Sequence, residues 1–164
     1  MGRGKPMKTI VLRGLANASF LVAAIVMFAS YQKVDEESFN FIARYSDWNG
    51  FMFCAVVNCI GCLYNLVVLI IPSGSQLWKT VIVLDVIVNM VVGASLGAGW
   101  QTYLMLGEGN MHARWWPICG AVPYFCAKVL GSLITSTFGF AVAIALLICT
   151  LHVSVDPFLV GNQS

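Results

Sequence analysis

Apolar positions along this chain gather into four long runs, about Ile10–Ser30, Phe51–Ile71, Val81–Tyr103 and Phe125–Leu151, with polar residues concentrated between them. At about 1.5 Å of rise per residue, the first run covers roughly 31 Å as a helix, the hydrocarbon thickness of a bilayer. Backbone polar groups in lipid are satisfied only in helices or closed barrels, and these runs are too long and continuous for barrel strands. The pattern predicts an all-α fold: an integral membrane four-helix bundle. It forms one domain over residues 10–155, flanked by short tails at 1–9 and 156–164.

Composition adds that no soluble domain accompanies the bundle. Apolar residues make up 59% of the chain and charged residues 10%, well below the roughly 25% charged of an ordinary soluble domain. The net charge of +2 is small, and the basic residues do not interleave with aromatics, so no nucleic-acid surface is expected. Charge also sets the orientation. Arg3, Lys5, Lys8 and Arg13 precede any acidic residue, whereas the first loop, Tyr31–Gly50, carries Asp35, Glu36, Glu37 and Asp47 beside Lys33 and Arg44. The positive-inside rule places the N-terminal tail in the cytoplasm, and four spans return the C-terminus there. Arg3, Lys5, Lys8, Arg13 and Lys79 then lie inside, and Lys33, Arg44, Arg114 and Lys128 outside. The basic start and Ala29-Ser30 imitate a signal peptide, but the span-length run with Arg13 and Asn17 reads as a retained helix. The acceptor patterns at Asn17 and Asn162 fall in a span and on the cytoplasmic side, so both are expected to be unused.

Function must then be sought among the few polar residues inside the spans. Arg13 is the basic residue clearly within a span and Asp85 the acidic one. Helical rise puts their backbones at depths of roughly 5 Å and 6–10 Å in the same leaflet. A charge at a helix centre costs about 2.5–3.5 kcal/mol on insertion scales, so each is the natural partner of the other. Asn17 and Asn89 lie one turn above Arg13 and Asp85, and Asn65 of the second span reaches a similar depth, with Asn58 seven residues back. A polar cluster of Arg13, Asn17, Asn65, Asp85 and Asn89 is expected in the cytoplasmic half. It reads first as an interhelical pair that fixes packing, and second as part of an ion or proton pathway.

Small residues mark helix contacts. Gly93 and Gly97 stand four apart in the third span, and Gly131 and Gly139 stand at eight-residue spacing in the fourth, with Thr135 between them. Such faces allow close approach within a bundle or between subunits. Cys59, Cys62 and Cys149 lie in spans and read as small apolar residues. Cys119 and Cys126 belong to the last outer loop, an oxidising compartment at a cell surface. Along one helix they would stand about 10.5 Å apart, too far to join, but Pro117 and Pro123 favour an irregular loop and a Cys119–Cys126 disulfide. Cys54 is the rival partner. Trp115 and Trp116 in the same loop read as interface anchors, as do Trp48 and Tyr124, or as an outer-loop contact surface.

Enzyme readings find no purchase. His112 lies outside and His152 at the far end of the fourth span, about 39 Å of helix away from residue 126, so they share no haem or metal. Cys59-x-x-Cys62 has redox spacing but sits mid-membrane, where a thiolate is unfavourable. No catalytic set, metal site or cofactor is expected.

Four features carry a family resemblance: Arg13 in the first span, Asp85 in the third, the start of the second span at Phe53–Asn58, and the last outer loop. That loop reads Gly109-Asn110, then Trp116-Pro117-Ile118-Cys119, then Phe125-Cys126. Together they resemble the plant Casparian strip membrane protein-like family, related to the MARVEL tetraspan proteins, over nearly all of the chain. The resemblance implies a non-enzymatic scaffold that oligomerises in the plasma membrane among lipid, with related tetraspan proteins and cell-wall enzymes as partners. The true Casparian strip proteins carry a Leu-Pro-Phe-Phe-Thr-Gln-Phe-like signature in the first outer loop. Asp35–Trp48 lacks it, which points to a Casparian-like relative with another tissue or partner set. The alternative is a transporter or channel component using the Arg13 and Asp85 region.

Overall fold

The structure, a computed structural model, describes residues 7–36, 39–71, 77–110, 112 and 114–160. Arg3, Lys5, Glu37 and the Asn162 acceptor pattern lie outside the described residues. The elements in order are α1 (Met7–Phe28), β1 (Tyr31–Glu36), β2 (Phe39–Arg44), a 3-10 turn (Tyr45–Asp47), α2 (Asn49–Ile70), α3 (Leu77–Glu108) and α4 (Pro123–Val160). All four α-helices are long and apolar enough to cross a membrane. Each packs on its neighbours in sequence, and α4 closes the ring against α1.

The helices overrun the apolar runs. Helix α3 has 32 residues and α4 has 38, roughly 48 and 57 Å. A hydropathy run ends where polar residues begin, but the helix continues through Leu104–Glu108, Gly107 included, and stops at Gly109, whose φ is +72°. Likewise α1 starts at Met7, inside the stretch assigned to a tail, and α4 continues to Val160, past the expected boundary at 155. Pro123 opens α4 two residues ahead of the expected start; its fixed φ and missing N–H suit a first helical position.

The segment Tyr31–Gly50, expected as a loop, is mostly an antiparallel hairpin with Tyr31 opposite Arg44 and Asp35 opposite Asn40. The hairpin lies over one end of the bundle. Ala43 joins Met27, Phe51, Cys54, Leu106, Val122 and Phe125 in a buried cluster there, with Val34 and Phe41 against its rim. On the other face Lys33 bonds Asp35 at 2.8 Å and the Arg44 guanidinium stands 5.6 Å over the Tyr31 ring. The hydrogen bond from Lys33, and then the charge of Asp35, raises the Lys33 pKa above its ordinary value.

Two polar contacts lock this hairpin end. Gln32 Oε1 accepts from the Phe125 N–H at 2.9 Å, supplying a partner to one of the first backbone donors of α4, which no helical carbonyl can reach. Lys128 Nζ donates to the Ala29 carbonyl at 3.3 Å, a cation placed on the negative end of α1. The outward surface is apolar, with Ile25, Leu63, Val67, Ile87, Met90 and Ile134 among its exposed side chains, as a lipid-facing surface requires.

Candidate functional site

Among the described residues, the buried charged side chains are Arg13 (2% exposed) and Asp85 (5%). They face each other from α1 and α3. Arg13 Nη2 lies 2.7 Å from Asp85 Oδ2 and Nη1 lies 3.1 Å from Oδ1, a two-pronged pairing that matches the guanidinium fork to the carboxylate. Asn65 of α2 brings Oδ1 to 3.3 Å from Arg13 Nη1 and anchors its own Nδ2 on the Gly61 carbonyl at 2.9 Å.

A further member, Tyr64, escaped the sequence reading. Its hydroxyl stands 2.7 Å from Asp85 Oδ1 and 3.1 Å from the Val81 carbonyl. The single proton goes to the carboxylate, the closer and charged acceptor. The signal was there, since a tyrosine inside an apolar run carries a hydroxyl that needs a partner once buried.

The other expected members behave differently. Asn89 turns back on its own helix, Nδ2 donating to the Asp85 carbonyl at 2.7 Å. Among the described residues Asn17 makes no hydrogen bond to the pair, and its Oδ1 is buried without a partner. Asn58 belongs to a separate polar layer: it accepts from Ser136 of α4 at 2.7 Å, and Ser132 donates to the Ala23 carbonyl at 2.6 Å. The cavity beside Asp85, lined also by Phe20, Tyr64, Asn65 and Asn89, measures about 10 Å³, roughly one water-sized sphere.

The glycines divide into two sets. A Cβ on Gly139 would stand 2.9 Å from Ser19 Cβ, and one on Gly93 would stand 3.2 Å from the Phe140 ring, so these two serve packing within the chain. A Cβ on Gly97 or Gly131 would meet nothing within 4 Å among the described residues; both glycines are exposed on the bundle surface. Close approaches fall also at glycines outside these spacings: at Gly50 a Cβ would run into the Thr102 side chain, and at Gly99 one would come 2.7 Å from Cys54 Sγ and 2.8 Å from Leu133. Helical periodicity fixes which residues share a face but not which face meets a neighbour.

Cys119 and Cys126 form a disulfide, their Cα atoms 5.7 Å apart. Cys119 lies in the turn ahead of α4 and Cys126 in its first turn, so the geometry is not that of one helix. Cys54 is engaged elsewhere, donating to the Ser95 carbonyl at 2.8 Å. Cys62 is buried, Cys59 half-buried and Cys149 exposed. The loop before the disulfide folds on itself through paired bonds between Asn110 and Trp115, 2.8 and 2.9 Å. Gly109 is required there, since a Cβ would stand 2.6 Å from the Trp115 carbonyl. Trp115 and Trp116 are both exposed, as is Tyr124, whereas Trp48 packs on Phe125 with centroids 5.2 Å apart.

Four span-length apolar helices around one engaged ion pair define a multi-pass integral membrane protein. The Casparian strip membrane protein domain matches residues 3–142. Relatives include CASP-like protein 1C1 of Arabidopsis thaliana, 36% identical over 154 residues and covering 94% of both chains. CASP-like protein 1C2 of Arabidopsis lyrata is 38% identical over the same share, and CASP-like protein 1C2 of Vitis vinifera is 36% identical over 84% of this chain and 86% of its own. The chain belongs to the Casparian strip membrane protein family. No solved structure matches it.

Proposed function

We propose that this protein is a non-enzymatic scaffold of the plasma membrane. It assembles with copies of itself or with related tetraspan proteins into membrane domains, and these recruit cell-wall-modifying partners. One observation carries the reading: Asp85, the acidic side chain buried in the bundle, is fully engaged. Both its oxygens accept from Arg13, and Oδ1 also accepts from Tyr64. A carboxylate that moves protons or ions must exchange partners, and an ion pair held by two further side chains is built to stay. Packing accounts for it without turnover.

Family membership supports the same reading, and the basic Arg3, Lys5 and Lys8 orient the start of α1 to the cytoplasm. The hairpin and the Cys119–Cys126 loop then face outward, where oxidising conditions keep the disulfide. Trp115 and Trp116 offer outer contacts, and Gly97 and Gly131 offer faces that the chain's own packing leaves open. Purified protein in nanodiscs should contain more than one copy per particle, and reconstituted liposomes should show no flux above empty vesicles. Single copies together with a flux that Asp85→Asn abolishes would establish the transporter instead.

A further inference from the structure

The cavity beside Asp85 is walled by all four helices, with Phe20 of α1, Tyr64 and Asn65 of α2, Asp85 and Asn89 of α3, and Ala143 of α4 among its lining. Its volume of about 10 Å³ is that of one water-sized sphere. Tyr64, Asn65, Asp85 and Asn89 make much of that wall polar, although it lies within apolar spans. Cavities that stay empty in proteins are apolar, whereas small polar ones hold water.

One lining group lacks a partner. Asn89 is 8% exposed and commits Nδ2 to the Asp85 carbonyl at 2.7 Å, but among the described residues its Oδ1 accepts no hydrogen bond. Unlike the oxygen of Asn17, it is not sealed by its surroundings, and the cavity is the space that Asn89 lines. An amide oxygen left dry among apolar helices is costly. The other polar groups have capacity in reserve. Asp85 Oδ2 accepts from Arg13 with room for a second bond, and Asn65 Nδ2 spends one of its two hydrogens on Gly61. The Tyr64 hydroxyl donates to Asp85 and can still accept.

We infer that one ordered water occupies this cavity, donating to Asn89 Oδ1 and completing its bonds on the polar rim of Asp85, Asn65 and Tyr64. A lipid chain is too large for the space and would leave Asn89 Oδ1 dry. A bare cation would stand near the Arg13 guanidinium with the Asp85 charge already paired. Water donates and accepts at once, and ordering it costs little. Asn89 is thereby a positioning residue, holding the water against the ion pair while its own amide bonds the backbone of Asp85. The site is enclosed by the four helices of one chain, so it stands whether or not copies assemble.

The test is nuclear magnetic resonance on the full chain in nanodiscs with labelled alanine and valine methyl groups, saturating water and lipid protons in turn. Ala143 and Val92 line the cavity, and their methyls should receive magnetisation directly from water. Ala16 belongs to the same buried cluster but lies off the cavity, and its methyl should receive none. Asn89→Val should abolish the transfer at Ala143 and Val92 while the Asp85 carboxyl resonance still reports the ion pair. The wild-type spectrum decides even where the variant does not fold. No transfer from water, or transfer from lipid acyl protons instead, would overturn the bound water. Equal transfer to all three methyls would mean a generally hydrated interior and overturn the single site. Transfer that survives in folded Asn89→Val would overturn the role of Asn89.

Discussion

The Arg13–Asp85 pair concentrates the energetics of the bundle on a few atoms, because each charge alone costs several kcal/mol in lipid and together they cancel. Arg13→Leu or Asp85→Leu should each lower the yield of folded protein, by about 2.5–3.5 kcal/mol of stranded charge at most. The double change should recover part of the loss, a coupling that size-exclusion chromatography of heated samples reads as a double-mutant cycle. Tyr64→Phe removes one hydroxyl and nothing else, and should cost about 0.6–2 kcal/mol, a modest drop in melting midpoint. An unchanged midpoint would show that Tyr64 merely rests against the pair. At this scale the sequence was readable where depth and charge decide, for Arg13, Asp85 and Asn65. It was not readable for Asn17 and Asn89, because an asparagine can satisfy itself on its own helix, as Asn89 does.

Elements were legible as spans and illegible as surfaces. Hydropathy marked all four helices but ended them at the polar boundary, although helix geometry carries α3 on to Glu108. The hairpin was missed although Phe41, Ala43 and Val34 alternate with the exposed Ile42, Arg44, Lys33 and Asp35, a period of two that marks a strand with one buried face. Glycine spacing gave the faces, and only packing separates them. Gly139→Leu and Gly99→Leu should therefore destabilise the monomer by the 1–3 kcal/mol or more typical of overpacking, about the same for both, while Gly97→Leu and Gly131→Leu should melt with the wild type. A large loss at Gly97 or Gly131 would mean that those faces are packed after all. The disulfide spans a closed loop of about eight residues, for which chain entropy gives roughly 2.5 kcal/mol. Reduction or Cys126→Ser should lower the melting midpoint accordingly, and unreduced peptide mapping should recover Cys119 and Cys126 in one linked fragment.

For the whole molecule, a bundle sealed at the hairpin end by the cluster around Phe51 and Phe125, with its ion pair engaged toward the opposite end, is suited to holding its shape. The sequence conveyed this much through the four runs, the single intramembrane pair and the family resemblance. It could not convey how copies meet, since that depends on outward faces such as those of Gly97 and Gly131, where one chain supplies half of any contact. The central claim is assembly. The most direct measurement is single-molecule imaging of the fluorescently tagged full chain in a plant plasma membrane, with bleaching steps counted and diffusion tracked in the same spots. The scaffold account predicts slow spots that bleach in several steps and disperse when Gly97 or Gly131 is made bulky without loss of folded protein. Freely diffusing spots that bleach in one step, at native expression, would contradict it.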